Sequence, residues 1–277
     1  MIKLARASVS TFCASILLLM VLVGARSSAA ATLELQLHGG THTLSDAQLR
    51  AMPGWQTIVI DTDPAYHGRH SYQALPLKVL LPALPAQGNL LFTANDGFVA
   101  TIPNASFLGK AQAWLALENP AAPWPALAAG KPSAGPLYLI WTDTAGAHIS
   151  SEQWPYQIAK IAETQALEQR YPQLQVHADA AEQGGALRGL QVFAKNCATC
   201  HSLNGGGDAH IGPDLNLPYS PTEYFEAGML RRLIRQPAAV RSWAQSSMPG
   251  FSVEIISAQE LDDLLLYLRQ MARQRQP

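Results

Sequence analysis

The chain has 277 residues and a formal net charge of −1. That length suits two domains, and the near-neutral charge gives no electrostatic basis for binding nucleic acid or an anionic membrane surface. Nearly half of the residues (48%) are apolar, so sizeable cores are within reach.

At the N-terminus, Lys3 and Arg6 precede an apolar run from Phe12 to Gly24 that is short for a bilayer crossing. Ser27-Ser28-Ala29-Ala30-Ala31 then supplies small residues suited to cleavage. This order predicts a secretory signal peptide over residues 1–31, and with it export to a bacterial periplasm. Left uncleaved, the same segment would be a membrane anchor. Cys13 lies inside the apolar run rather than at its end, which does not fit a lipoprotein cysteine.

Residues 32–178 mix strands and short helices without a βαβ rhythm, so an α+β domain is predicted. Thr32 to His38 alternates as a half-buried strand should, and Gly39-Gly40 follows as a turn. Ser45 to Met52 reads as a short capped helix, and Thr57 to Asp61 as a strand. Leu75 to Leu84 has prolines at both ends and reads as a short helix. Leu90–Thr93 and Phe98–Ile102 flank Asn95-Asp96-Gly97, a hairpin signal. Residues 118–136, rich in Ala, Pro and Gly, read as a long loop; Leu137–Trp141 and Gln157–Ile161 complete the strands. His67-x-x-His70 is a candidate metal pair, although it lacks cysteine or carboxylate company. Trp114, Trp124, Trp141 and Trp154 read as core or interface mass.

Four segments carry a resemblance: Tyr72-x-x-Leu75-Pro76-Leu77, Asp96-Gly97-Phe98, Gly135-Pro136-Leu137-Tyr138-Leu139 and Gln153-Trp154-Pro155-Tyr156. On these, residues 33–163 resemble a small version of the molybdopterin-binding fold of sulfite-oxidase-type enzymes. Catalytic members of that family hold molybdenum through a cysteine thiolate, and residues 32–181 contain no cysteine. Molybdopterin is therefore not expected, and a docking domain without chemistry of its own is.

Residues 179–277 read as helical. Asp179-Ala180-Ala181-Glu182 resembles a capping box with a carboxylate in place of the hydroxyl. Leu190, Phe193 and Cys197 then recur at helical spacing, with Gly189 leaving room for another helix. Cys197-Ala198-Thr199-Cys200-His201 is the attachment pattern of c-type haem, in which two thiols bond the porphyrin and the histidine lies beneath the iron. A thioredoxin-like redox pair is the competing reading, but it expects a strand before the first cysteine. After a Gly-rich loop comes Ile211-Gly212-Pro213-Asp214, where a carbonyl held against the imidazole would orient it through Nδ1. Ser220-Pro221-Thr222-Glu223 starts a second helix with Phe225, Leu230, Leu233 and Ile234 on its apolar face, ended by Pro237. Ser257-x-x-Glu260 starts a third, carrying Leu261, Leu264, Leu265 and Leu268. Met229, Met248, Met271, His210 and the N-terminal histidines are candidates for the sixth iron ligand. Met248, in a loop stiffened by Pro249 and Gly250, suits a thioether that must reach the iron.

Gly189, Phe193, the pentapeptide, Gly212-Pro213, Met248-Pro249-Gly250 and the terminal helix with Tyr267 together resemble class I cytochromes c over residues 182–275. The resemblance implies an all-α domain with one covalent haem c on Cys197 and Cys200. It further implies His201 and Met248 as axial ligands and Pro213 as support for the histidine. The function expected is that of a monohaem carrier passing single electrons between redox partners such as a dehydrogenase, an oxidase or another cytochrome. The edge near the cysteines would serve as the electron port, presented to partners by the N-terminal domain. The alternatives are an oxidoreductase subunit whose N-terminal domain binds a cofactor, and a haem-based sensor.

Overall fold

A computed structural model describes residues 31–242 and 248–275. The expected signal peptide, apart from Ala31, and Ser246-Ser247 of the methionine loop lie outside the described residues. The N-terminal unit holds two sheets. Its strands are β1 (Thr32–Leu37), β2 (Gly40–Ser45), β3 (Gln56–Ile60), β4 (His70–Pro76), β5 (Asn89–Ala94), β6 (Val99–Pro103), β7 (Gln112–Leu117), β8 (Leu137–Thr142) and β9 (Ile158–Thr164). Short helices α1 (Asp46–Arg50), α2 (Leu77–Leu80) and α3 (Asn104–Leu108) join them. One sheet runs β2-β1-β9-β5-β6 and the other β3-β4-β7-β8. The β1–β9 pair is parallel and the remaining pairs are antiparallel.

Period-2 alternation explains why the strands stack this way. Along β8, Leu137, Leu139 and Trp141 face a core shared with Leu33, Phe92, Ile158 and Ile161 of the first sheet. Tyr138 and Ile140 face a second core with Tyr72, Ala74 and Trp114. Both faces of β8 are thus covered, which accounts for its uninterrupted apolar run. Three strands and α3 escape the sequence reading. The segment expected to begin a helix at Leu75 is the end of β4, and only Leu77–Leu80 turn helical. The hairpin at Asn95–Gly97 forms as expected, with Gly97 at φ +91°.

The rest of the chain is helical: α4 (Leu167–Arg170), α5 (Gln183–Asn196), α6 (Pro221–Tyr224), α7 (Ala227–Arg235) and α8 (Ala258–Arg273). Its core reaches back before residue 179, because Leu167, Leu174 and Val176 pack with Phe193, Leu264, Leu265 and Tyr267. The α5–α8 crossing is close. A Cβ on Gly189 would overlap the carbonyl of Asp263, and Phe193 and Tyr267 meet with ring centroids 5.7 Å apart. Capping boxes at Ser220/Glu223 and Ser257/Glu260 start α6 and α8, as read from the sequence, each stabilising its helix by about 1 kcal/mol.

Two expectations are corrected. Asp179 accepts from the Glu182 N–H, but this fixes a turn, and α5 begins only at Gln183. The single helix expected from Ser220 to Pro237 is two, because Phe225 and Glu226 adopt extended backbone. The Phe225 ring there lies under the Arg241 guanidinium, 4.7 Å from its carbon.

Candidate functional site

Helix α5 ends at Asn196, and Cys197–Cys200 continue as a tight turn in which Cys200 and His201 both donate to the Cys197 carbonyl. Both thiols and the imidazole are thereby gathered at the C-terminal end of one helix. His201 Nδ1 lies 2.7 Å from the Pro213 carbonyl oxygen. With Nδ1 donating there, Nε2 keeps its lone pair free for a metal. Burial lowers the His201 pKa, opposed by the Pro213 carbonyl and Asp214, so the neutral imidazole is favoured.

The loop that carries Pro213 is tied down at both ends. Gly212 donates its N–H to the Cys200 carbonyl, and a Cβ at Gly212 would overlap the His201 ring. Asp214 accepts from the backbone N–H groups of Asn204, Gly205, Asn216 and Leu217 and from Ser202 Oγ. Burial pushes its pKa up, but these donors prevail and hold the carboxyl below its usual range. The sequence names Asp214 only as part of the loop; its role as the hub is a property of the fold.

Met248 is half-buried against the helical core. The following residues are stitched to the end of α7: Phe251 N–H donates to Ile234, and Arg235 donates to the carbonyls of Phe251, Ser252 and Ile256. Of the other methionines considered, Met271 is buried in α8 and Met229 is exposed on α7. His38, His42 and His210 are exposed. His67 is exposed, while the His70 ring lies tilted against Tyr66 with centroids 4.6 Å apart. Among the described residues, no group of three or more His, Cys, Asp or Glu is arranged to hold a metal ion.

The pentapeptide turn faces the N-terminal unit rather than solvent. Ala198 and Thr199 are buried, and the Val99 N–H at the start of β6 donates to the Thr199 carbonyl at 3.3 Å. Thr199 Oγ1 donates to Glu152 at 3.4 Å, and Lys195 Nζ donates to the His148 carbonyl at 2.7 Å. Glu152 sits on the 3-10 turn Ser151–Gln153 and is only 8% exposed. Burial raises its pKa to about 6, against the hydrogen bonds from Ser151 and Thr199. Nothing in the sequence marks Glu152, which lies 45 residues before Cys197 in an unremarked Ser-Glu-Gln stretch.

Burial, then Glu152, pushes the Cys197 thiol up to about 12 and Cys200 up to about 11. A redox C-x-x-C pair needs the opposite, a thiolate stabilised near neutral pH. Two thiols beside an imidazole oriented through Nδ1 fit the attachment of a haem, in which the thiols would bond the porphyrin and the imidazole would hold the iron.

Fold and donor set together define a haem-binding helical domain on a two-sheet partner. Residues 186–272 match the family model for Cytochrome c, less than a third of the chain. The matched segment is a cytochrome c domain, which implies covalently bound haem c, one group for the single domain, and haem-based electron transfer.

Proposed function

We propose that this protein is a monohaem electron carrier of the periplasm, with thioether bonds at Cys197 and Cys200 and axial ligation by His201 and Met248. When bound, the haem supplies a one-electron couple. The chain's own residues do the rest. Pro213 orients the His201 ring and raises its basicity by accepting from Nδ1. Gly212 lets the loop approach the ring closely. The α7 end and Arg235 steady the segment after Met248, so that a thioether can be offered with little loss of entropy. An iron held by both His201 and Met248 would have no position left for a substrate, which favours a carrier over a catalyst.

The N-terminal unit is read as a docking module of the sulfite-oxidase-like fold, without molybdenum. Its absent cysteine supports that reading, as does its seat on the pentapeptide turn. Because Ala198 and Thr199 lie beneath it, a redox partner meets the haem beside this unit rather than across that turn.

The observation that carries the proposal is the 2.7 Å contact between His201 Nδ1 and the Pro213 carbonyl, placed beside two gathered thiols. Its test is the mature protein made in an exporting host competent for haem attachment. Haem should survive denaturation and solvent extraction, and metal analysis should find iron without molybdenum. Colourless extracted protein would remove the carrier reading; stoichiometric molybdenum would make the N-terminal unit an enzyme.

A further inference from the structure

We propose that Glu152 sets the reduction potential of the haem attached at Cys197 and Cys200, a reading that rests on the haem assignment above. The N-terminal unit presses this one buried carboxylate against the pentapeptide turn, and its negative charge favours the ferric state. Three observations converge on Glu152.

The first is placement. Glu152 is held on a braced turn: the Ser150 N–H donates to Gln153 Oε1 and the Gln153 N–H to the Ser150 carbonyl, each at 3.0 Å, and Trp141 Nε1 donates to the Gln153 carbonyl at 2.7 Å. Its carboxylate crosses the boundary between units to lie 3.4 Å from Thr199 Oγ1, inside the pentapeptide, where it shares that hydroxyl with the Asn196 carbonyl.

The second is the lack of compensation. Its hydrogen-bond donors, Ser151 and Thr199, are neutral hydroxyls. Among the described residues, no lysine, arginine or histidine forms a salt bridge with it. Lys195, at the C-terminal end of α5, directs its Nζ to the His148 carbonyl and interacts with Glu260 instead. Asp96 adds further negative charge near Cys200 and Tyr156.

The third is burial. A charge screened by water over a short distance matters little, but one in the protein interior acts through a lower effective dielectric. Reduction adds one electron from a donor protein to the iron, which passes from ferric to ferrous with no bond made or broken. Placing that electron near a fixed carboxylate is unfavourable. An effect on the order of tenfold in the reduction equilibrium is the scale expected of one buried unit charge.

The test is potentiometric titration of the holoprotein in three variants. Glu152→Gln and Glu152→Ala remove the charge in different ways, so one folded neutral variant suffices; Glu152→Asp keeps the charge and disturbs the packing. Both neutral variants should favour the ferrous state roughly tenfold over wild type, with an unaltered absorption spectrum. Glu152→Asp should stay near the wild-type potential. A residue acting only as packing would move the aspartate variant along with the neutral ones. If haem is absent after denaturation of the wild-type protein, the haem assignment fails. If haem is retained and a neutral variant titrates at the wild-type potential, the role of Glu152 alone is overturned.

Discussion

His201 and Pro213, 12 positions apart in sequence, are joined by a 2.7 Å contact between the imidazole Nδ1 and the carbonyl oxygen. Within the loop between them, Ser202 Oγ and the N–H groups of Asn204 and Gly205 all donate to Asp214. The ring is therefore trapped between a fixed acceptor on one side and the backbone of Gly212 on its face.

Gly212→Ala tests that trap. The new methyl group would overlap the imidazole, and neither the ring nor the tied loop yields freely. Overpacking of this kind costs about 1–3 kcal/mol. Thermal unfolding of the holoprotein should show a lowered midpoint, and the haem absorption spectrum should change as the ring tilts. A variant with wild-type midpoint and spectrum would mean that the loop has slack.

Met248→Ala should keep covalent haem, because the thiols and His201 are untouched. It should open the distal position and lower the potential, since loss of the thioether removes the ligand that favours the ferrous iron. Carbon monoxide binding to the reduced variant, fast where the wild type is slow, measures the first effect; potentiometry measures the second. An unchanged spectrum and potential would assign the sixth ligand to another residue.

Local signals made part of this architecture legible. Capping boxes at Ser220 and Ser257, the Asn95-Asp96-Gly97 turn and the pentapeptide all act within a few residues, so the sequence alone displays them. The residues missed depend on distant partners. Strand β4 contains Pro76 and precedes a helical turn, and only its pairing with β3 and β7 makes it a strand. Phe225 fits a helical stripe by spacing, yet the backbone extends there. Leu167, Leu174 and Val176 look like a tail of the N-terminal domain until α8 is laid against them. Glu152 stands in a polar Ser-Glu-Gln stretch of ordinary surface composition, and only its tertiary surroundings bury it.

Tyr267 ties that early segment to the cytochrome core. Its hydroxyl, buried in α8, donates to the Leu174 carbonyl at 2.8 Å. Tyr267→Phe keeps the ring packed on Phe193 but leaves a buried carbonyl without its donor, at a cost of about 1–3 kcal/mol. Denaturant unfolding of the holoprotein, followed at the haem band, should shift to a lower midpoint. If residues 167–176 were only a tether, the midpoint would not move.

Glu152 also predicts a pH dependence of stability. Its folded-state pKa is raised by burial from the usual 4.5 to about 6. The folded protein therefore holds this proton more tightly than the unfolded chain does. The resulting stabilisation is complete below pH 4.5 and is lost as pH rises through 6, so the ionised carboxylate costs about 2 kcal/mol at pH 8. Glu152→Gln removes that dependence. Melting curves of the two holoproteins should nearly coincide at pH 4 and separate above pH 6, with the glutamine variant the more stable. A wild-type protein that gained stability relative to the variant as pH rose would mean that the ionised carboxylate is favoured in the fold. A carboxylate kept where it weakens the fold at neutral pH is what a tuning charge requires, because a neutral or well-paired group would leave the potential where it was.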